Sequence, residues 1–170
     1  MKRAVWLMIL LLFCTPLAAK AAPLQAGTKA PDINLKDITG QAFSLTSPPW
    51  KGKMLLFVAM PITEARTNVA VSESIAKEGG IDRTKLAGAA IFAAPPDDAL
   101  KILKARQKET GKTYLIDPSE TATKLWGLKK GASNVILLDK GRVCRFLYSG
   151  KLPGPEIAKL IQTIKKYQAQ

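Results

Sequence analysis

The chain of 170 residues contains no histidine. That removes the commonest general base and the commonest metal ligand together. Ser-His-Asp triads, Cys-His dyads and zinc sites built on imidazole are excluded by inventory alone. Cysteine is nearly absent too, with two residues, Cys14 and Cys144. Acidic residues number 13 against 26 basic ones, and aromatics make up 6% of the chain. No tract is of low complexity, and no internal repeat or interdomain linker is visible.

The longest apolar run near the start is short for a membrane span. Lys2 and Arg3 precede it, Val5 to Phe13 form its core, and Ala19-Lys20-Ala21 supplies an A-x-A cleavage pattern. Together these predict a signal segment over 1–21, cut before Ala22, and a single domain over 22–170. A retained N-terminal anchor is the alternative. A lipoprotein reading through Cys14 fits less well, because Phe13 sits where a small residue is required. The expected location is periplasmic or secreted.

Removal of Lys2, Arg3 and Lys20 leaves 23 basic and 13 acidic residues, a net charge of +10. The cations are scattered and no stripe interleaves them with aromatics, which argues against nucleic acid as a partner. Weak attraction to anionic surfaces is expected. Cleavage also leaves Cys144 as the sole thiol, so no internal disulfide can form. The acidic pairs Asp97-Asp98 and Asp117 read as helix starts, and neither a metal nor a cofactor is expected.

Strand and helix signals alternate along the chain. Pro31–Asp37 and Ala42–Leu45 read as a short N-terminal β-hairpin turning at Gly40. Pro48-Pro49 stops regular structure. Met54–Met60 is continuously apolar, as a strand buried on both faces requires. A helix is expected from Thr63 or Glu64, with Ala65, Val69, Ser72 and Ile75-Ala76 on its inner face and Gly79-Gly80 ending it. Leu86–Ala94 is a second core strand. A helix follows, capped by Asp97 or Asp98 and facing inward through Leu100, Leu103 and Ile102. Thr113–Ile116, a short helix from Asp117, Asn134–Leu138, an Asp139-Lys140-Gly141 turn and Arg142–Tyr148 come next. Pro155 opens a final helix with an Ile157, Leu160, Ile161, Ile164 stripe. This order predicts an α/β fold with a central mixed β-sheet flanked by helices.

Gly27–Gly40, GTKAPDINLKDITG, resembles the G-x-x-A-P-D-F-x-L-x-D-x-x-G opening of the redoxin superfamily, its peroxiredoxin (AhpC/TSA) and TlpA-like branches included. Lys51-Gly52-Lys53 and the run after it are similar to that family's K-G-K-V-V-L-V-N-F-W strand. Asp117-Pro118-Ser119 with Leu125–Leu128, and Val135–Val143, VILLDKGRV, match two further family motifs in the right order. The resemblance implies a thioredoxin-like fold over nearly the whole of 22–170.

The reactive residues of that family are missing. On the dithiol pattern, Glu64 and Thr67 occupy the two cysteine positions. On the peroxiredoxin pattern, counting from Pro61 puts Ala65 and Asn68 at the threonine and cysteine positions. Ser133 falls at the family's cis-proline, where a trans bond is then expected. A signal segment, no active-site cysteine and a serine before VILLDKGRV are most similar to the YtfJ-type periplasmic proteins. The resemblance implies an exported binding or accessory module without the redox dithiol, acting on an envelope protein or peptide.

Two places remain as candidates. Thr63, Glu64, Arg66 and Thr67, with Ser133 across from them, are the ligand- or partner-binding candidates. A helix start offers N–H donors there, the threonines offer hydroxyls, and Arg66 adds a cation. The structural alternative is a capped, solvated helix start. Cys144 is the weak catalytic candidate. Strict alternation puts it on the face of Arg142, Phe146 and Tyr148, where cations would lower its pKa and suit a single-cysteine thiol oxidoreductase. The structural alternative is a small packed residue.

Overall fold

The computed structural model describes residues 22–170. The expected signal segment over 1–21, Cys14 included, lies outside the described residues. Seven strands form one mixed sheet: β1 (Leu35–Asp37), β2 (Ala42–Phe43), β3 (Met54–Pro61), β4 (Leu86–Ala93), β5 (Thr113–Ile116), β6 (Asn134–Leu138) and β7 (Cys144–Ser149). Four α-helices accompany them: α1 (Val69–Lys77), α2 (Asp97–Thr110), α3 (Thr121–Trp126) and α4 (Gly154–Gln168). The sheet order is β2-β1-β5-β4-β3-β6-β7. β3, β4 and β5 are parallel, whereas β6 runs against β3 and β7 against β6. β1 and β2 make the expected short hairpin, with Leu35 opposite Phe43.

β3 sits in the middle because its residues are apolar on both faces. On one face, Leu55 and Phe57 join a core with Trp50, Trp126, Leu115 and Ile136. Phe43, Trp50, Phe57 and Trp126 pack in series there, with ring centroids 5.0, 5.5 and 5.6 Å apart. Such spacing suits tilted and edge-on aromatic pairs. On the other face, Val71 and Ile75 of α1 meet Leu160 and Ile164 of α4 over Val135 and Leu137. Leu103 of α2 packs nearby on Met60 and Phe92. The N-terminal segment closes over α3, where Gly127 has φ +61° and an added Cβ would stand 2.8 Å from Pro23 Cβ. No side chain fits that approach.

Several local expectations are corrected. The α-helix after β3 begins at Val69, not at Thr63 or Glu64; Ile62–Glu64 is a single 3₁₀ turn and Ala65–Asn68 continues as turns. Its buried face is therefore Val71 and Ile75, while Val69 is 43% exposed and Ala76 faces water. α2 is preceded by Pro96, with Asp97 and Asp98 inside its first turn, where they complement the dipole instead of capping. Ile102 points outward at 58% exposure. α3 begins at Thr121, not at Asp117; the buried Asp117 sits ahead of it, and both its oxygens accept backbone N–H groups, from Thr121 at 2.7 Å and Ala122 at 2.8 Å.

β7 contains the largest departure from simple alternation. Phe146 pairs with Leu137, and Cys144 with Leu138, so one residue, Arg145, is extra. This bulge shifts the phase of the strand. Cys144 consequently belongs to the core around Trp126, and Phe146 to the opposite core around Leu160.

Candidate functional site

β3 ends at Pro61 and the chain makes consecutive 3₁₀ turns before α1. The N–H groups of Ala65, Thr67, Val69 and Val71 donate to the carbonyls of Ile62, Glu64, Arg66 and Asn68. Of these, the Ala65 N–H is one that a helix beginning at Thr63 would have left free for an anion. Thr63 and Arg66 are exposed, and Glu64 and Thr67 are half-buried. The Thr67 hydroxyl donates to the Glu64 carboxylate. The two residues that the resemblance would put at the dithiol positions therefore touch each other.

Asn68 is the residue that sequence reasoning undervalued. Its side chain is buried. Its Nδ2 donates to Ser133 Oγ at 2.9 Å and to the Gly150 carbonyl at 2.9 Å, and its Oδ1 accepts from Leu152 N at 2.9 Å. The carboxamide thus joins the start of α1 to the start of β6 and to the loop before α4. Ser133 is fully buried and its hydroxyl also points at Met60 Sδ, 3.9 Å away. Among the described residues no peptide bond is cis, the bond before Ser133 included. The structure brings Ser133 to Asn68, and the Thr63 end of the turn lies further out.

A second buried carboxamide holds the facing loop. Asn134 Nδ2 lies 2.9 Å from the Ala132 carbonyl and 3.0 Å from that of Lys129, while its Oδ1 accepts from Lys129 N at 3.2 Å and Ser149 Oγ at 2.6 Å. At a strand start, an asparagine reads as a turn residue, so only tertiary contacts reveal this role. Counting from Pro61 did single out position 68; burial was the missing information. Beside these loops a shallow cleft opens at the strand ends, with Met60, Pro61 and Ala93 below and Glu120, Lys129 and Lys130 at its rim. Lys130 Nζ pairs with Glu120 at 2.9 Å.

Cys144 is elsewhere. It has no exposed surface, and burial pushes its thiol up to about 11, against smaller opposing effects of the Phe146 backbone and the Arg145 charge. It sits at the opposite end of β7 from Ser149, the residue paired with Asn134. Five residues of strand correspond to about 17 Å. The cations expected to activate it are otherwise engaged. Arg145 Nε donates to Asp139 Oδ2 at 2.7 Å, and its guanidinium lies 4.3 Å from the Tyr167 ring centre. Arg142 is buried at φ +67° and donates to the carbonyls of Leu45, Trp50 and Lys53 at 2.7, 2.8 and 2.7 Å. Burial lowers its pKa, with Asp139 and Asp32 opposing.

Trp50 and Trp126 are core residues. Among the described residues, no group of three or more Asp, Glu or Cys side chains converges as a metal site would require. No described helix is long and apolar enough to cross a membrane.

No protein-family model matches the chain, and no curated protein matches it. Solved structures do. The peroxidoxin BcpB of Mycobacterium tuberculosis superposes with a TM-score of 0.64 at 16% identity, over 86% of this chain and 97% of that one. A thiol-disulfide oxidoreductase of Bacteroides fragilis gives 0.62 at 14%, over 79% and 98%. The exposed lipoprotein thioredoxin Etrx1 of Streptococcus pneumoniae gives 0.59 at 17%, over 80% and 99%. The chain has the thioredoxin-like fold that these structures share.

Proposed function

We propose that the protein is an exported thioredoxin-fold binding or accessory module that works without a redox dithiol, on a protein or peptide of the cell envelope. The observation that carries this reading is the Asn68 carboxamide. The count from Pro61 puts it at the family's peroxidatic-cysteine position, and it is committed to Ser133, Gly150 and Leu152. A carboxamide neither transfers electrons nor attacks a peroxide. The strand, turn and helix that frame the site are kept, and the adjoining cleft joins apolar floor to charged rim, a mixture suited to an extended polypeptide.

The export part of the proposal rests on the composition of residues 1–21. It is tested by N-terminal sequencing of the protein recovered from the envelope fraction; an intact Met1 in the cytosolic fraction would refute it. The module part is tested by assaying purified protein with insulin disulfides and with alkyl peroxides. Turnover at ordinary enzyme rates would overturn it.

A second reading, a single-cysteine thiol oxidoreductase or peroxiredoxin-like enzyme using Cys144, draws support from the activities named for the structural neighbours. It requires a thiolate that solvent can reach, and Cys144 is a buried thiol with a raised pKa. The first reading fits these properties better.

A further inference from the structure

β3, β4, β5 and β7 run in one direction, so α1, α2 and α4, which connect or follow them, run in the other. All three helices end at the pole where β3 and β4 begin, opposite the Asn68–Ser133 site. Lys51 and Lys53 lead into β3, Lys85 leads into β4, and Lys140 follows β6. The pairing of Met54 with Leu86 and of Leu55 with Leu138 places Lys53, Lys85 and Lys140 at one level. Gln168 bonds to the backbone of Asp82 at 2.8 and 3.1 Å, which brings the end of α4 and Lys166 to the same pole.

Most of the carboxylates there are engaged, and Glu109, near the end of α2, is exposed. Asp139 accepts from Gly141, Val143 and Arg145; Asp82 accepts from the N–H and hydroxyl of Thr84 and pairs with Lys85 Nζ at 3.7 Å; Glu78 takes Lys165. The helix ends contribute only partial negative charge. At the other pole, Glu64, Asp97, Asp98, Asp117 and Glu120 offset Arg66, Lys124, Lys129, Lys130 and Lys151. Charge is therefore polarised along the strand direction.

We infer that this lysine-rich pole docks the protein on an anionic lipid bilayer surface and so turns the Asn68–Ser133 end toward the aqueous side. The chemistry of the pole favours lipid over an acidic protein. Lys51, Lys53, Lys140 and Lys166, which have no carboxylate partner among the described residues, are compact point charges suited to mobile headgroups, while Arg142 and Arg145 are used internally and Arg83 donates to the Ala76 carbonyl. The large exposed apolar side chains among the described residues, Val69 and Ile102, belong to other surfaces, so the pole has no apolar centre of the kind protein interfaces carry. Attraction of this type is additive per basic residue and decays over a Debye length.

The test is co-sedimentation of the purified protein, with one N-terminus throughout, with vesicles of phosphatidylglycerol and phosphatidylcholine in equal parts. Lys51→Gln, Lys140→Gln and Lys166→Gln are combined in one variant. Lys101→Gln, Lys104→Gln and Lys129→Gln form a control of equal net charge. Each polar lysine removed is worth about fivefold, so the first triple loses about a hundredfold in partitioning, while the control loses less than about threefold. Raising salt to about 0.5 M releases the protein, and pure phosphatidylcholine does not bind it. Equal losses in the two triples, or salt-insensitive sedimentation, overturn the inference. Binding to immobilised poly-glutamate that matches vesicle binding at equal charge and salt, through the same lysines, also overturns it in favour of an acidic protein.

Discussion

Asn68 Nδ2 and Ser133 Oγ meet at 2.9 Å, across 65 residues of sequence, inside a fully enclosed contact. The pair ties the turn before α1 to the start of β6. Deleting the carboxamide strands three partners at once, because Gly150 and Leu152 lose theirs too. Asn68→Ala should cost about 2–4 kcal/mol, and Ser133→Ala about 1 kcal/mol, in urea denaturation. A double-mutant cycle should return a coupling of about 1 kcal/mol. Additive losses would mean that the bond is incidental.

Glu64 and Thr67 are in side-chain contact. Their spacing in a tight turn suits a disulfide. The double substitution Glu64→Cys, Thr67→Cys should therefore form an intramolecular disulfide on mild oxidation and exchange with small thiols, while the parent shows no such exchange. Mass spectrometry of the alkylated protein reads the outcome. A pair that stays reduced, or crosslinks only between molecules, would show that the turn has lost the geometry of a dithiol site.

Cys144 should resist alkylation at pH 8 in the native state and react promptly in denaturant. Its folded pKa is raised to about 11 by burial. The folded state thus holds the proton more tightly than the unfolded chain, whose thiol titrates at about 8.5. Stability from this group is complete below that value and is lost as pH rises through about 11. Cys144→Ala should flatten that part of the stability profile. Fast native-state labelling would instead revive the thiol-enzyme reading.

Asp37 carries the opposite sign. Burial alone would raise its pKa, but hydrogen bonds from Thr39, Gln107 and Gln41 outweigh this and hold the carboxyl below the usual range. Its contribution is present above about pH 4 and disappears as pH falls through the lowered folded value. Asp37→Asn should be less stable at neutral pH, with the gap to the parent narrowing in acid. A constant gap would assign the effect to shape instead of charge.

Arg142→Lys keeps the charge and removes the fork. One ammonium cannot replace planar donors that reach Leu45, Trp50 and Lys53 together. A loss of about 2–4 kcal/mol is expected by thermal or urea unfolding. A variant within about 0.5 kcal/mol of the parent would show that water takes over the carbonyls.

The fold was legible because its signals are local. Met54–Met60, Leu86–Ala94 and the α4 stripe announce buried elements through composition and period, and Asp139-Lys140-Gly141 marks its own turn. The site was legible only as a location. Asn68 and Arg142 are polar residues whose partners come from elsewhere in the chain, and Asn134 adds Ala59 and Ser149 to its local partners, so nothing beside them in sequence signals burial. The phase of α1 was misjudged because the 3₁₀ turns of Ile62–Asn68 delay its start. The face of Cys144 was misjudged because one extra residue, Arg145, interrupts β7.

The Arg142 contacts also impose an order on folding. They close loops of 97, 92 and 89 residues, to Leu45, Trp50 and Lys53. Loops of that length are entropically slow to close, and contacts of high sequence separation form late. The segment before β3 therefore stays unlatched until the Asp139–Val143 turn exists. The Trp50 turn is thus held in place by a residue 92 positions later in the chain.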